Sequence, residues 1–211
     1  MLLFTHPSPS WRTLSLLNKV TDLLGDSQLL WSSVNLESVP DQHWPDKTTD
    51  IVTTSSRLLH AVRRGSLQEV RNLLQQDSLK DLRRSSPNVS FLLFAGMAGR
   101  RQVCQVLLRH GADPNEVRGV RAHSLLHTAV ASGNYGFASL LLAAGAAPSP
   151  QNSSLSTPLH FAARSNQEYM AAKLLKYGAD ALIRDGSNRT AVDLAIEKDN
   201  FALAKFIEDR C

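Results

Sequence analysis

From about residue 56 onward the apolar positions fall into pairs of short clusters, alanine-rich then leucine-rich, with polar stretches between the pairs. Leu159-His160-Phe161-Ala162-Ala163 is typical of the first kind. Val103, Val106, Leu107 and Leu108 are typical of the second, with apolar positions at helical spacing. The pattern predicts two short helices per unit. Within each pair sit Gly65, Gly99, Gly133, Asn166 and Asp199, separated by 34, 34, 33 and 33 residues. Gly and Asn tolerate left-handed backbone angles and suit a tight reversal between helices, and Asp is a poorer but allowed substitute. A second marker follows each leucine-rich cluster: Gly111-Ala112-Asp113, Gly145-Ala146-Ala147 and Gly178-Ala179-Asp180, spaced by 34 and 33 residues. A fixed period in the thirties means that one supersecondary unit is being copied. Five copies can be counted, beginning near Arg57. Such a stack offers a long surface rather than one chemical pocket.

The residues of these copies resemble the ankyrin repeat. Thr157-Pro158-Leu159-His160-Phe161-Ala162-Ala163 followed by Gly178-Ala179-Asp180 is similar to the family pattern TPLHxAA, a glycine, then a leucine-rich helix ending in GADxN. This fourth copy departs from it at Asn166, where glycine is usual. The third keeps Leu125-Leu126-His127-Thr128-Ala129, and the second has Leu93 where histidine is usual. The fifth reads Thr190-Ala191-Val192-Asp193-Leu194-Ala195, and the first Leu58-Leu59-His60-Ala61-Val62. The resemblance implies an all-α ankyrin-repeat solenoid of about five helix-turn-helix repeats with short β-hairpin or loop tips. The repeats are placed at 56–86, 87–119, 120–153, 154–186 and 187–211. Thr157 can cap its helix through the hydroxyl, with Pro158 at the first helical position, where a missing N–H costs nothing. In this family the histidine at 127 and 160 makes a structural hydrogen bond between neighbouring copies, so neither is expected to be catalytic.

Residues 1–55 do not fit the repeat. Residues 10–25 have the pattern of one amphipathic helix, with Trp11, Leu14, Leu17 and Leu24 along a face and Gly25 as a stop. A Ser-, Pro- and Asp-containing linker follows. Two roles stand open for this extension: a cap over the first repeat, or a docking segment with Trp11 and Trp31 as anchors. Two cysteines, Cys104 and Cys211, make no disulfide framework, so a reducing compartment is expected, cytoplasmic or nuclear. The apolar runs are too short for a membrane span or a secretory signal.

Enzymatic readings find little support. Gly96-Met97-Ala98-Gly99 lacks the Lys-Ser/Thr of a nucleotide loop, and the His123/His127 pair loses His127 to its structural position. No catalytic residue, cofactor or metal is expected. A monomeric, non-enzymatic adaptor or scaffold is, with a protein partner. In the family, ligands contact the hairpin tips and the last turn of each first helix. Carried over residue by residue, this implies partner contacts at Arg63, Arg64, Met97, Arg118, Arg121, His123, Arg164, Arg184, Arg189 and Lys198. These arginines are either ordinary surface residues or a groove selective for an acidic peptide or domain, since the planar guanidinium pairs carboxylates in bidentate fashion. Nucleic acid is a poor rival: net charge is only +4 and no aromatics interleave with the arginines. A targeting subunit that recruits a ubiquitin ligase or phosphatase through residues 1–55, or an inhibitor masking a transcription factor, are the alternatives. Ser66 and Ser86 each follow paired arginines, the pattern of basophilic kinase sites.

Overall fold

The computed structural model describes residues 51–76 and 90–210, which fall within one unit, Pro40–Cys211. The helix expected over 10–25, most of the linker after it, and Ser86 lie outside the described residues.

Ten helices are present among the described residues. Repeat 1 comprises α1 (Ile51–Arg64) and α2 (Leu67–Gln76), and repeat 2 comprises α3 (Phe91–Met97) and α4 (Arg101–Arg109). Repeat 3 holds α5 (Leu125–Ala131) and α6 (Tyr135–Ala143), repeat 4 α7 (Pro158–Arg164) and α8 (Glu168–Lys176), and repeat 5 α9 (Ala191–Glu197) and α10 (Phe201–Glu208). The first helices α1, α3, α5, α7 and α9 touch in chain order. Behind them α2, α4 and α6 touch in turn, as do α8 and α10. This is the solenoid implied by the repeat, an all-α stack with one short strand pair. α1 begins at Ile51, ahead of the expected boundary at 56. Thr54 and Ser55 are weak helix formers and read as linker, but both are buried in the helix, so packing outweighs propensity.

The interior repeats as strictly as the sequence. Ala61, Ala95, Ala129, Ala162 and Ala195 are all completely buried where successive first helices approach. Leu73, Leu107, Leu141, Leu174 and Ile207 hold the corresponding place on the second helices, and Val70, Cys104, Ala138, Ala171 and Ala204 another. Small and branched side chains alternate, so the layers interdigitate into one continuous core. At the turn between helices, Gly65, Gly99, Gly133, Asn166 and Asp199 take φ of 78°, 69°, 65°, 52° and 59°, the left-handed angles expected of them.

Between repeats 2 and 3 the chain forms a hairpin of β1 (Val117–Arg118) and β2 (His123–Ser124), antiparallel, with Val117 opposite Ser124 and Arg118 opposite His123. The later tips are narrower turns, closed by Asn152 N–H to Ser156 O at 3.1 Å and Asp185 N–H to Arg189 O at 2.8 Å. Successive tips are stitched together. Ser153 N–H donates to Arg121 O (3.0 Å) and Gly186 N–H to Ser154 O (2.8 Å), which makes the tips a single edge.

Candidate functional site

The buried histidines are structural. His127 closes a capping box on α5: Ser124 N–H donates to its Nδ1 at 3.2 Å, and its own N–H donates to Ser124 Oγ at 3.3 Å. Nδ1 therefore accepts, so the proton sits on Nε2 and is donated to Ser156 O in repeat 4 at 2.9 Å. His160 repeats the arrangement, with Thr157 N–H to Nδ1 at 3.1 Å and Nε2–H to Arg189 O at 3.0 Å. In repeat 5 a carboxylate takes over the box: Thr190 N–H donates to Asp193 Oδ2 at 2.8 Å. Burial pushes His127 down to about 4 and His160 below the usual imidazole value. Each histidine is thus a neutral pin between repeats and has no lone pair left for chemistry.

A second ladder escaped the sequence reading. In repeats 2 to 5 the residue after the left-handed marker reaches back to the preceding repeat. Arg100 Nε donates to Arg63 O (3.4 Å), Asn134 Nδ2 to Gly96 O, Gln167 Nε2 to Val130 O and Asn200 Nδ2 to Ala163 O (each 3.0 Å). These carbonyls lie in the last turn of the first helices, where Gly96 O, Val130 O and Ala163 O also accept a backbone N–H from the following turn, at 3.0, 3.0 and 3.3 Å. The recurrence of Asn and Gln one position after the marker was the available signal.

The expected partner-contacting residues do not share one environment. Arg63, Arg64, Arg121 and Arg164 are exposed, with the Arg164 guanidinium 5.1 Å from the centre of the Phe161 ring. Met97 ends α3 half-buried, with Ser132 Oγ 3.8 Å from its sulfur. Arg118 is largely covered and paired with Glu116. At the C-terminal end the cations are matched within the chain. Arg189 bonds Asp185 (2.9 Å) and Glu197 (2.8 Å), Arg184 lies 3.8 Å from Asp193, and Lys198 lies 3.4 Å from Glu197. Although partial burial works the other way, bonds from the Arg189 side chain and from the Arg189 and Ser187 N–H groups hold the Asp185 carboxyl below its usual value. Surface pairs of this kind add little stability, but they leave that end without surplus charge.

His123 is a correction: it is only 5% exposed and faces inward rather than toward a partner. The two residues of β2 are both buried because the hairpin folds against α5 and α7. The His123 ring stands edge-on to His127 (5.5 Å) and Phe161 (5.6 Å), with Asn152 Nδ2 3.4 Å from Nδ1. Burial, with Arg121 nearby, keeps its pKa below the usual value.

What the hairpin edge does present is apolar. Val117, Val120 (82% exposed), Leu155 and Leu182 (70% exposed) all project into solvent there. From Val117 to Gln167 the chain contains no Asp or Glu, only Arg118, Arg121 and Arg164 as formal charges. Exposed aliphatics beside a stretch whose formal charges are all cationic combine apolar and polar surface as an interface does.

Nothing in the remaining chemistry competes with that surface. Cys104 is a buried free thiol occupying a position filled elsewhere by Val or Ala, and burial pushes its pKa up to about 12. A cavity of about 70 Å³ beside it, lined by Gly96, Arg100, Arg101, Asn134 and Phe137 among others, is well below the few hundred Å³ of a small-molecule site. Among the described residues no cluster of His, Cys, Asp or Glu could hold a metal ion. No described helix is long and apolar enough to cross a membrane.

Comparison with known proteins agrees with the geometry. Residues 94–185 and 126–209 match the family model for ankyrin repeats. Similar proteins include the putative ankyrin repeat protein FPV031 of fowlpox virus, 29% identical over 72% of this chain and 47% of its own. Protein PhlB of Serratia liquefaciens is 34% identical over 65% of this chain and 60% of its own. Cyclin-dependent kinase inhibitor 2A of Monodelphis domestica is 31% identical over 54% and 67%. The chain thus spans about half of the fowlpox protein and three-fifths of PhlB.

Proposed function

The chain belongs to the ankyrin repeat family, whose repeats are protein-interaction modules, and from that premise we propose a non-enzymatic adaptor or scaffold that binds an acidic protein segment along its hairpin edge. The observation that carries this reading is the acid-free stretch from Val117 to Gln167 beside the exposed Val117, Val120 and Leu155. An aliphatic side chain of the partner covers the apolar tips while its carboxylates pair with Arg121 and Arg164 and, at the first repeat, with Arg63 and Arg64. The paired C-terminal cluster of Arg184, Arg189 and Lys198 contributes shape rather than charge. The protein acts in this proposal as a monomer in the cytoplasm or nucleus, in keeping with the free thiol of Cys104.

Selection of a random peptide display library on the full chain tests this directly. Enrichment of Asp and Glu around Leu, Ile or Val is the expected result, with the enriched peptides losing at least tenfold in affinity for a chain carrying Arg121→Glu and Arg164→Glu. Enrichment of basic peptides, or undiminished binding by the charge-reversed chain, refutes it.

A further inference from the structure

We propose that Ser66 is a phosphorylation site for a basophilic protein kinase, and that the phosphate bridges repeat 1 to repeat 2 through Arg100. Ser66 occupies in repeat 1 the position held later by Arg100, Asn134, Gln167 and Asn200. Those four side chains reach back to a carbonyl of the preceding repeat. Repeat 1 has no preceding repeat among the described residues, and the Ser66 hydroxyl makes no hydrogen bond to any of them. The spare hydroxyl is flanked by the residues a basophilic kinase reads: Arg63 and Arg64 three and two positions before it, both exposed, and the apolar Leu67 just after.

The surroundings also suit the product. Arg100 lies across the turn, its Nε 3.4 Å from Arg63 O. A Cβ on Gly65 would fall 2.9 Å from Arg100 Cδ and Nε, so the guanidinium stem is packed on the residue next to Ser66. Arg101 follows it at the start of α4. Glu69, in the first turn of α2, is the one carboxylate of that helix, against the four arginines 63, 64, 100 and 101. A phosphoserine carries about −1.5 to −2 charges and pairs well with guanidinium groups.

In the reaction, Ser66 Oγ attacks the γ-phosphorus of a nucleoside triphosphate held by the kinase. The Oγ–H bond breaks and its proton passes to the kinase's base. The bond from the γ-phosphorus to its bridging oxygen breaks, and nucleoside diphosphate leaves with that electron pair. The last turn of α1 must unwind for the hydroxyl to enter a kinase. That releases the bonds from Gly65 N–H and Ser66 N–H to Ala61 O, each 3.0 Å.

The test incubates the full chain with a purified basophilic kinase and magnesium ATP, locates phosphate by fragmentation mass spectrometry, and follows thermal unfolding by circular dichroism. One phosphoryl group is expected on Ser66, absent in Ser66→Ala and slowed at least tenfold in Arg64→Gln, which leaves the hydroxyl in place. The phosphorylated chain should melt about 2–4 °C higher than the unmodified chain, and the same comparison in Arg100→Gln should show no rise. Failure to modify Ser66 while Ser86 is modified overturns the site. A rise in melting temperature that persists in Arg100→Gln overturns the bridge.

Discussion

Replacing Gly96 by alanine sets two effects of opposite sign against each other. Gly96 lies inside α3, where alanine is the better helix former by about 1 kcal/mol. Propensity alone therefore predicts a more stable protein. The structure predicts the reverse, because a Cβ there would stand 2.4 Å from the far carbons of the Phe137 ring. Phe137 is itself buried, so the ring moves only by disturbing its neighbours. Overpacking of this kind costs about 1–3 kcal/mol. The small cavity that both residues line lets the ring yield in part, which argues for the middle of that range, about 2 kcal/mol. The net is a destabilisation of about 1 kcal/mol, or a fall in melting temperature of about 2–4 °C for a domain of this size. Urea unfolding followed by circular dichroism, with an unchanged m-value as the check on cooperativity, measures it. The decisive experiment is the double-mutant cycle with Phe137→Leu, which removes the far ring carbons. In that background Gly96→Ala should stabilise by up to about 1 kcal/mol. A stabilising Gly96→Ala in the native background, or the same cost in both, would show that Gly96 is not there to admit the ring.

Further predictions concern the seam. The folded-state pKa of His127 lies near 4 against 6.5 for a free imidazole, and His160 and His123 are shifted the same way. Their stabilisation is fully present above pH 6.5 and is lost as pH falls toward 4. His127 alone accounts for about 3 kcal/mol by linkage, and an unfolding free energy that stays flat from pH 7 to 4 contradicts this. Asn200→Ala, at a position whose side chain makes no cap bond, leaves Ala163 O without its side-chain donor and should cost about 1 kcal/mol by urea titration, whereas a neutral effect would make the back-reaching ladder incidental. Cys104→Ala should cost under about 1.5 kcal/mol because alanine fills the equivalent place in repeats 3 to 5, while Cys104→Ser should cost about 1–3 kcal/mol more for its buried hydroxyl. In a Cys211→Ser chain the Cys104 thiol, held protonated and covered, should react with a thiol reagent only on unfolding, and prompt labelling of that folded chain would refute the placement.

The parts of this fold that were legible in the sequence are those where one residue type alone satisfies the backbone or the core. The left-handed markers at 65, 99, 133, 166 and 199 show because few residues tolerate the angle, and the alanines at 61, 95, 129, 162 and 195 because the helices leave no room for more. The seam histidines were legible only through resemblance, since a lone buried histidine announces no partner. Features that depend on what lies a repeat away were hidden. Nothing local to Arg189 reveals Glu197, eight residues on, as its second partner. The Asp185–Arg189 pair, at four-residue spacing, was within reach of a charge-pattern reading and would have removed Arg189 from the surplus cations. His123 was misplaced because both residues of β2 are buried, where strand alternation alone would leave one of them exposed.

One feature of the hairpin edge bears on why its apolar residues are there. Ala122, Leu155 and Asn188, spaced by 33 residues, take φ of 51°, 55° and 62°. Asparagine accepts such angles readily, but for alanine and leucine they cost about 1–2 kcal/mol each. The strain is held in place by the tips themselves: Ala122 N–H bonds Gly119 O at 3.1 Å, Leu155 N–H bonds Asn152 O at 2.9 Å, and the tip-to-tip bonds fix the flanking backbone. Glycine would occupy Leu155 without that cost, and stability gives little reason to keep a side chain that is half exposed. A strained aliphatic held outward within the acid-free stretch is better accounted for by something it touches than by anything it does for the fold. Leu155 is therefore the place on this edge where the partner's own apolar anchor is to be sought.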